Sequence, residues 1–107
     1  MRVVLKRVGC EPEVVEIDGN LDSMQEIVDG YIEVFPLDET GCCIICNEEG
    51  RVRNLATNFI IEVGYAHAEE IDGDVFFCRC GVEDFESVTD SDVACVMNMF
   101  FTKGAEI

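Results

Sequence analysis

Two apolar runs separated by polar turns, within residues 30–50, constrain the fold of this chain more than any other feature. The runs are Tyr31–Leu37 and Cys42–Cys46, and the four residues between them, Asp38–Gly41, are typical of a turn. A second polar turn, Asn47–Gly50, follows the second run. Apolar runs of this length, bounded by turn residues, predict two successive strands. The remaining segments must then cover this pair.

The first part of the chain predicts a hairpin followed by a short helix. Arg2–Val8 and Glu13–Asp18 are strand-like runs joined by a short connection, which favours a hairpin. Apolar residues at helical spacing predict an amphipathic helix over Leu21–Asp29. Asn20 is placed to cap its first turn, and Gly30 stands where a left-handed C-cap is favoured.

The middle of the chain has weaker signals. We expect Val52 to face the core between two outward-facing arginines, and Asn54–Asn58 to form a loop. Phe59–Val63 is a short apolar run that fits either a strand or one helical turn. The polar stretch Gly64–Gly73 predicts an excursion over the surface.

The last third of the chain contains the strongest strand and the clearest helix. Asp74–Cys80 includes a continuous apolar run, which is typical of a strand buried on both faces. Thr89 and Asp92 approximate a capping box for a helix over Asp90–Phe101, whose apolar stripe includes Phe100. The order of elements predicts the α+β class, with a mostly antiparallel sheet and two helices packed on one face of it.

The balance of charge limits the choice of partners. The chain, which we expect to form a single domain over residues 1–107, has 23 Asp and Glu against 7 Lys and Arg, a net charge of −16. Direct binding to nucleic acid or to an anionic membrane needs a basic surface, so we expect neither. No apolar run is long enough to span a bilayer and the first residues do not resemble a signal peptide, which predicts a cytoplasmic protein.

Cysteine is the one potentially reactive residue type that is abundant, with seven in the chain. An odd number without a signal peptide predicts reduced thiols. Cys43-x-x-Cys46 and Cys78-x-Cys80 have spacings found at metal sites, but residues three apart in a strand point to opposite faces. Buried apolar packing is therefore the first interpretation, and a Cys-based metal-binding domain is a second alternative.

Residues that could catalyse a reaction are sparse. His67 is the only histidine and lies in a polar stretch, which favours a solvated side chain. We find no phosphate-binding glycine loop, no nucleophile elbow and no His-Glu-x-x-His motif in the sequence. We therefore expect a protein that is not an enzyme and has no cofactor. Acidic runs at Glu69–Asp74 and Glu83–Glu86 do not match an EF-hand loop, although weak cation binding there stays open.

Several segments of the chain resemble the DUF3846 family, a domain of unknown function. The Gly-Tyr-Ile-Glu-Val and Asn-Glu-Glu-Gly pieces carry most of the likeness. The resembling segments are Glu13–Asp18, Leu21–Val28, Gly30–Val34, Pro36–Asp38, Cys46–Gly50, Phe76–Phe77 and Asp84–Asp90. The chain departs from the family where Leu55–Phe59 replaces prolines and an Asn-Arg pair. The family has no established activity, and the resemblance implies a small domain of Firmicutes, phages and mobile elements.

Two non-catalytic hypotheses remain for the function. The first is a protein-interaction module. The alternative is a nucleic-acid mimic that inhibits a host defence or DNA-processing enzyme, because duplex DNA carries one charge about every 1.7 Å and carboxylates at similar density can occupy a basic cleft. A protein partner is expected in both cases, and for the mimic it is a basic nucleic-acid enzyme. The candidate acidic surface consists of Asp72, Asp74, Glu83, Asp84 and Glu86, which flank one predicted strand.

Overall fold

The computed structural model describes residues 1–37, 40–62 and 68–99, and the structural statements below concern this part of the chain. Its elements in chain order are β1 (Arg2–Lys6), β2 (Glu13–Glu16), α1 (Leu21–Val28), β3 (Ile32–Pro36), β4 (Cys42–Asn47), β5 (Thr57–Glu62), β6 (Ala68–Asp72), β7 (Val75–Cys80), β8 (Phe85–Glu86) and α2 (Asp90–Met97). One six-stranded sheet has the order β2-β1-β7-β4-β3, with β8 paired to β7, and β5 and β6 form a separate hairpin. All the described pairings are antiparallel. The prediction of an α+β fold with a mostly antiparallel sheet and two helices is confirmed.

Strand β7 lies in the middle of the sheet. It pairs with β1 on one side and with β4 on the other. Its apolar run is fully buried, from Val75 to Cys78, so both faces of the strand are covered as predicted. Strand β1 is also buried on both faces, since neighbouring Val3 and Val4 are equally inaccessible.

Alternate residues of the central strands belong to two separate hydrophobic clusters. Met24 of α1 packs with Phe76 and its cross-strand neighbours. Val96 of α2 packs with Phe77 and with Phe59 of the β5–β6 hairpin. Because successive residues of a strand face opposite sides, α1 contacts one face of the sheet while the hairpin and α2 contact the other. The predicted packing of both helices on one face is therefore not confirmed.

The middle of the chain differs most from the sequence-based prediction. Strand β5 begins at Thr57, inside the stretch expected to be a loop, and the run with two possible assignments is a strand as far as Glu62. Strand β6 occupies the end of the expected surface excursion, and its Ile71 is buried. Val52 lies in a turn and is exposed, so the expectation that it faces the core is wrong. Polar β6 and the first residues of β5 become strand because the two segments pair with each other on top of the sheet, which local residue preference does not predict.

The predicted N-caps of both helices are confirmed. The backbone N–H of Ser23 donates to Asn20 Oδ1 at 2.8 Å at the start of α1. In α2, Asp92 N donates to Thr89 Oγ1 at 3.1 Å and Thr89 N donates to Asp92 Oδ2 at 2.9 Å, which completes a capping box. The left-handed residue at the end of α1 is Asp29, with φ 60°, instead of the expected Gly30.

Helix α2 ends at Met97, earlier than predicted. Val96 of the predicted apolar stripe is buried, whereas Met97 is exposed. The expected extension to Phe101, which includes Phe100, lies outside the described residues. Within the described part, neither helix has both the length and the apolar character that a membrane span requires.

Candidate functional site: an acidic pocket beside β6

The five carboxylates of the predicted acidic surface lie at the two ends of β7. Asp72 and Asp74 precede this strand, and Glu83, Asp84 and Glu86 follow it. A strand of six residues spans about 20 Å. The structure therefore brings these residues together in two groups instead of one.

Glu83, Asp84 and Glu86, which we name the turn carboxylates, are exposed around the β7–β8 turn. The turn is closed by a hydrogen bond from Gly81 N to the Asp84 carbonyl oxygen at 2.9 Å. Asp84 Oδ1 also accepts from the backbone N–H of Phe85 at 2.8 Å. Each of these three carboxylates remains accessible to a partner.

Asp74 has a structural contact that the sequence did not reveal. Its Oδ1 accepts a hydrogen bond from the backbone N–H of Val8 at 2.9 Å, which ties the residues after β1 to the start of β7. Asp74 also lines a cavity of about 470 Å³ whose other walls include Arg7 and Glu26. It is half-buried, so only part of its carboxylate faces solvent.

Asp72, the last residue of β6, is only 7% exposed and is not part of the open surface. Gly50 packs directly over it, since a Cβ at Gly50 would lie 3.2 Å from the Asp72 Cβ. Asp72 Oδ1 is buried without a hydrogen-bond partner among the described residues. Burial first, and then the adjacent Glu70, raise the pKa of Asp72 to about 6, while the charge of Arg51 opposes this rise. Two carboxyl groups can share a hydrogen bond only when one of them is protonated, so the hydrogen bond with Glu70 favours protonated Asp72 and raises its pKa.

Asp72 lines a pocket of about 250 Å³ between the β3–β4 hairpin and β6, which we name the acidic pocket. Carboxylates are the most numerous polar groups of its lining, and Arg51 is the one basic residue among the described residues that line it. The acidic residues around it are Glu33, Glu48, Glu69, Glu70 and Asp72. A recess lined mainly by one sign of charge focuses an electrostatic potential that attracts cations.

Cys46 lines the acidic pocket and contacts Glu33. Its thiol donates to the Glu33 carbonyl oxygen at 3.6 Å and lies 4.0 Å from Glu33 Oε1. Burial, together with the negative charges of Glu33 and Asp72, raises the pKa of Cys46 to about 12. The thiol is therefore protonated at neutral pH, which does not favour a nucleophilic role.

The Asn-Glu-Glu-Gly turn builds one wall of the acidic pocket and also holds the end of α1. Asn47 Nδ2 donates to the carbonyl oxygens of Val28 and Asp29 at 2.9 and 3.0 Å. Asn47 Oδ1 accepts from the backbone N–H of Glu49 at 2.7 Å, and the Arg53 guanidinium also donates to the Asp29 carbonyl. These bonds satisfy helix-end carbonyls that have no partner within the helix, so they fix the turn against α1.

Sequence analysis missed several residues of this pocket, above all Glu33 and Asn47. Glu33 is one acidic residue in an apolar strand, and Asn47 stands in an ordinary turn sequence. Their proximity to Asp72 depends on the packing of β6 over the β3–β4 hairpin. Only the apolar–polar alternation of β3 could have indicated that Glu33 and Phe35 share a face.

The cysteines lie on both sides of the sheet. Cys43 belongs to the cluster on the α1 side and Cys46 to the opposite cluster, as predicted. Cys43 and Cys78 are cross-strand partners with their Sγ atoms 3.8 Å apart, and this contact together with burial raises the pKa of Cys43. In the described ranges, no group of three or more His, Cys, Asp or Glu side chains is arranged to hold a metal ion. His67 lies outside those ranges.

Comparison with known families identifies one match. A family model described as "Domain of unknown function (DUF3846)" matches residues 1–101 of the 107-residue chain. The chain therefore belongs to this family. No curated protein and no solved structure matches it.

Proposed function

We propose that this member of the DUF3846 family is a non-catalytic module that binds a basic surface of a protein partner. The supporting observation is that the protein's own basic side chains are largely occupied by internal contacts. The ion pairs of the described residues include Arg2–Asp90 at 2.8 Å, Arg7–Glu13 at 3.3 Å, Arg53–Asp29 at 3.2 Å and Arg79–Asp92 at 2.8 Å. Buried Lys6 donates to Asn58 Oδ1 at 2.9 Å.

The net charge is −16, and the few basic side chains pair with groups of the same protein. Many carboxylates therefore face solvent. Among the turn carboxylates, Glu86 lies across the ladder from Arg79, which is already bound to Asp92. Glu83 and Asp84 form no ion pair with a described basic residue. A surface of this kind attracts a basic partner, accelerates their association and repels nucleic acid. We also propose a cytoplasmic location and a phage or mobile-element context, on the basis of the sequence and the family resemblance.

Capture at two salt concentrations, followed by measurement on purified proteins, tests this function. Host proteins retained by the tagged protein at low salt and lost at high salt are purified and retested for direct binding. Affinity for a true partner should fall as ionic strength rises, because exposed charges beyond a Debye length are screened. A labelled DNA duplex should not bind under the same conditions.

Two triple charge reversals sharpen the test. One replaces the turn carboxylates by Glu83→Lys, Asp84→Lys and Glu86→Lys. The matched variant carries Glu11→Lys, Asp18→Lys and Glu26→Lys, which are equally exposed positions and change the net charge by the same amount. At least one variant should weaken binding and reduce its salt dependence. A partner whose affinity ignores salt and both variants would contradict the proposal and indicate an apolar docking face.

The nucleic-acid mimic is a narrower version of the same function, in which the partner is a DNA-processing or defence enzyme. Carboxylate groups at both ends of β7, about 20 Å apart, support this alternative, since a mimic must present charge along an extended surface. Competition distinguishes the two versions. Duplex DNA should displace the protein from its partner if it is a mimic, and should leave the complex intact if it binds elsewhere on that partner.

A further inference from the structure

We infer that the acidic pocket receives an arginine side chain of the protein partner. This inference rests on the proposed function and names the contact that would make binding to the partner specific. The turn carboxylates can attract any basic surface, but they are exposed and solvated. The acidic pocket is instead a half-open recess between β6 and the β3–β4 hairpin, where a charge contact is less screened by water than on a flat surface.

The first observation is an unsatisfied carboxylate. Asp72 is 7% exposed, lines the acidic pocket and has an Oδ1 atom without a hydrogen-bond partner among the described residues. Buried charges in proteins are normally paired, because an unpaired one loses its hydration without compensation. Arg51 lines the same pocket and gives partial compensation, although its side chain is on the exposed turn. The Asp72 carboxyl group therefore has no ion-pair partner among the described residues, and a cation bound in the pocket that it lines would offset the cost of its buried charge.

The second observation is the size and lining of the pocket. A volume of about 250 Å³ has room for a side chain and is far larger than a bare metal ion requires. Glu33 and Phe35 belong to β3 on one side of the pocket, and Glu70 and Asp72 belong to β6 on the other. A guanidinium is planar, presents five N–H donors and stacks on aromatic rings, so it can contact carboxylates on two walls together. An ammonium has three donors and is more strongly hydrated, which makes lysine the weaker ligand.

The third observation is that the pocket is held in place before any ligand arrives. Asn47 fixes the turn wall to the end of α1 through two hydrogen bonds, and its Oδ1 accepts a third from Glu49 N within the turn. The packing of Gly50 on Asp72 joins this turn to β6. Binding therefore requires little ordering of the protein, which preserves affinity for a small group such as one side chain.

A capped tripeptide with arginine at its centre, N-acetyl-Gly-Arg-Gly-amide, is a direct probe. Its citrulline counterpart has nearly the same shape and no charge. Carboxyl carbon NMR of the whole chain, at low ionic strength, follows each carboxylate during titration. We expect the arginine peptide to shift Glu33, Glu70 and Asp72 with a single saturation curve and to lower the pKa of Asp72, while the citrulline peptide leaves them unchanged.

Two isosteric variants locate the contact. Asp72→Asn should weaken binding of the arginine peptide about tenfold, which is the loss expected for one hydrogen bond to a charged group. Asp84→Asn removes the same charge from the turn carboxylates and should leave the affinity within about twofold. Equal weakening by both variants, or equal binding of the citrulline peptide, would overturn the pocket as an arginine site. Displacement of the arginine peptide by Ca²⁺ at lower concentration would overturn it in favour of a metal site.

The outcome is separable from that of the proposed function. If the tripeptide does not bind but a purified partner still binds with strong salt dependence, the pocket inference alone fails. If the tripeptide binds the pocket but no purified partner responds to salt or to charge reversal, the proposed function fails and the pocket remains a cation site. Displacement of the partner by the arginine tripeptide but not by its citrulline counterpart, together with weaker partner binding in Asp72→Asn, would link the two.

Discussion

Asp72 and Asp92 are buried to nearly the same extent, but their pKa values are shifted in opposite directions. Asp72 is 7% exposed and Asp92 is 6% exposed. Arg79 donates to both oxygens of Asp92, at 2.8 and 3.0 Å, and these bonds hold the pKa of Asp92 well below its usual range. Asp72 has no such partner, and burial raises its pKa to about 6. Burial alone therefore does not determine whether a carboxylate stabilises the fold, because the direction of its pKa shift depends on its hydrogen-bond and charge partners.

The two residues also lie in different kinds of structure. Asp92 is part of the capping box of α2, and its bonds to Arg79 tie that helix to the central strand β7. Asp72 ends a strand of the hairpin layer and lines the acidic pocket. A buried carboxylate with hydrogen-bond and ion-pair partners stabilises the fold, whereas a buried carboxylate that lacks them and lies beside a pocket is typical of a binding site.

The largest effect should follow from Asp92→Ala. This change removes the acceptor of Thr89 N in the capping box and the bidentate partner of Arg79, so we expect a loss of about 2–4 kcal/mol of unfolding free energy at pH 7. Asp90→Ala is the matched control, because Asp90 lies in the same helical turn but is exposed. Urea unfolding measures both variants. Equal, small losses would mean that Asp92 contributes no more than a surface charge.

Asp72→Asn should raise the free energy of unfolding, whereas Asp92→Ala should lower it. The pKa of Asp72 is raised from 3.8 to about 6, so ionisation is harder in the folded state than in the unfolded one. The contribution of Asp72 to the free energy of unfolding is therefore most favourable below about pH 4, and this advantage is lost as the pH rises through about 6. We expect the variant to be more stable than wild type by about 1–3 kcal/mol at pH 7.5 and to lose this advantage near pH 4. Urea unfolding at several pH values gives the difference, and a constant difference across that range would contradict the assignment.

Glu70→Gln should give a smaller change in the same direction. It removes the neighbouring charge but leaves Asp72 buried, so the pKa of Asp72 should fall only part of the way towards its ordinary value. The gain in stability at pH 7.5 should be about 0.5–1 kcal/mol. Carbon NMR titration of Asp72 in this variant measures the fall directly. An unchanged pKa would show that burial acts alone.

The smallest effect should come from Asp84→Asn. Asp84 is exposed, and among the described residues its carboxylate accepts a hydrogen bond only from the backbone N–H of Phe85. An amide oxygen can accept the same bond, so the change in unfolding free energy should stay within about 0.5 kcal/mol. A larger effect in a thermal or urea unfolding experiment would mean that the turn carboxylates have a structural role.

The sequence by itself determined the features that depend on neighbouring residues. The caps at Asn20 and Thr89, the β1–β2 hairpin and the buried strand β7 follow from side-chain chemistry and periodicity within a few positions. Only the tertiary structure decided that β6 is a strand, that α1 and α2 contact different hydrophobic clusters, and that Asp72 is buried under Gly50. Each of these depends on segments far apart in the chain, and a polar strand or an aspartate has no local pattern that reports which distant surface will cover it.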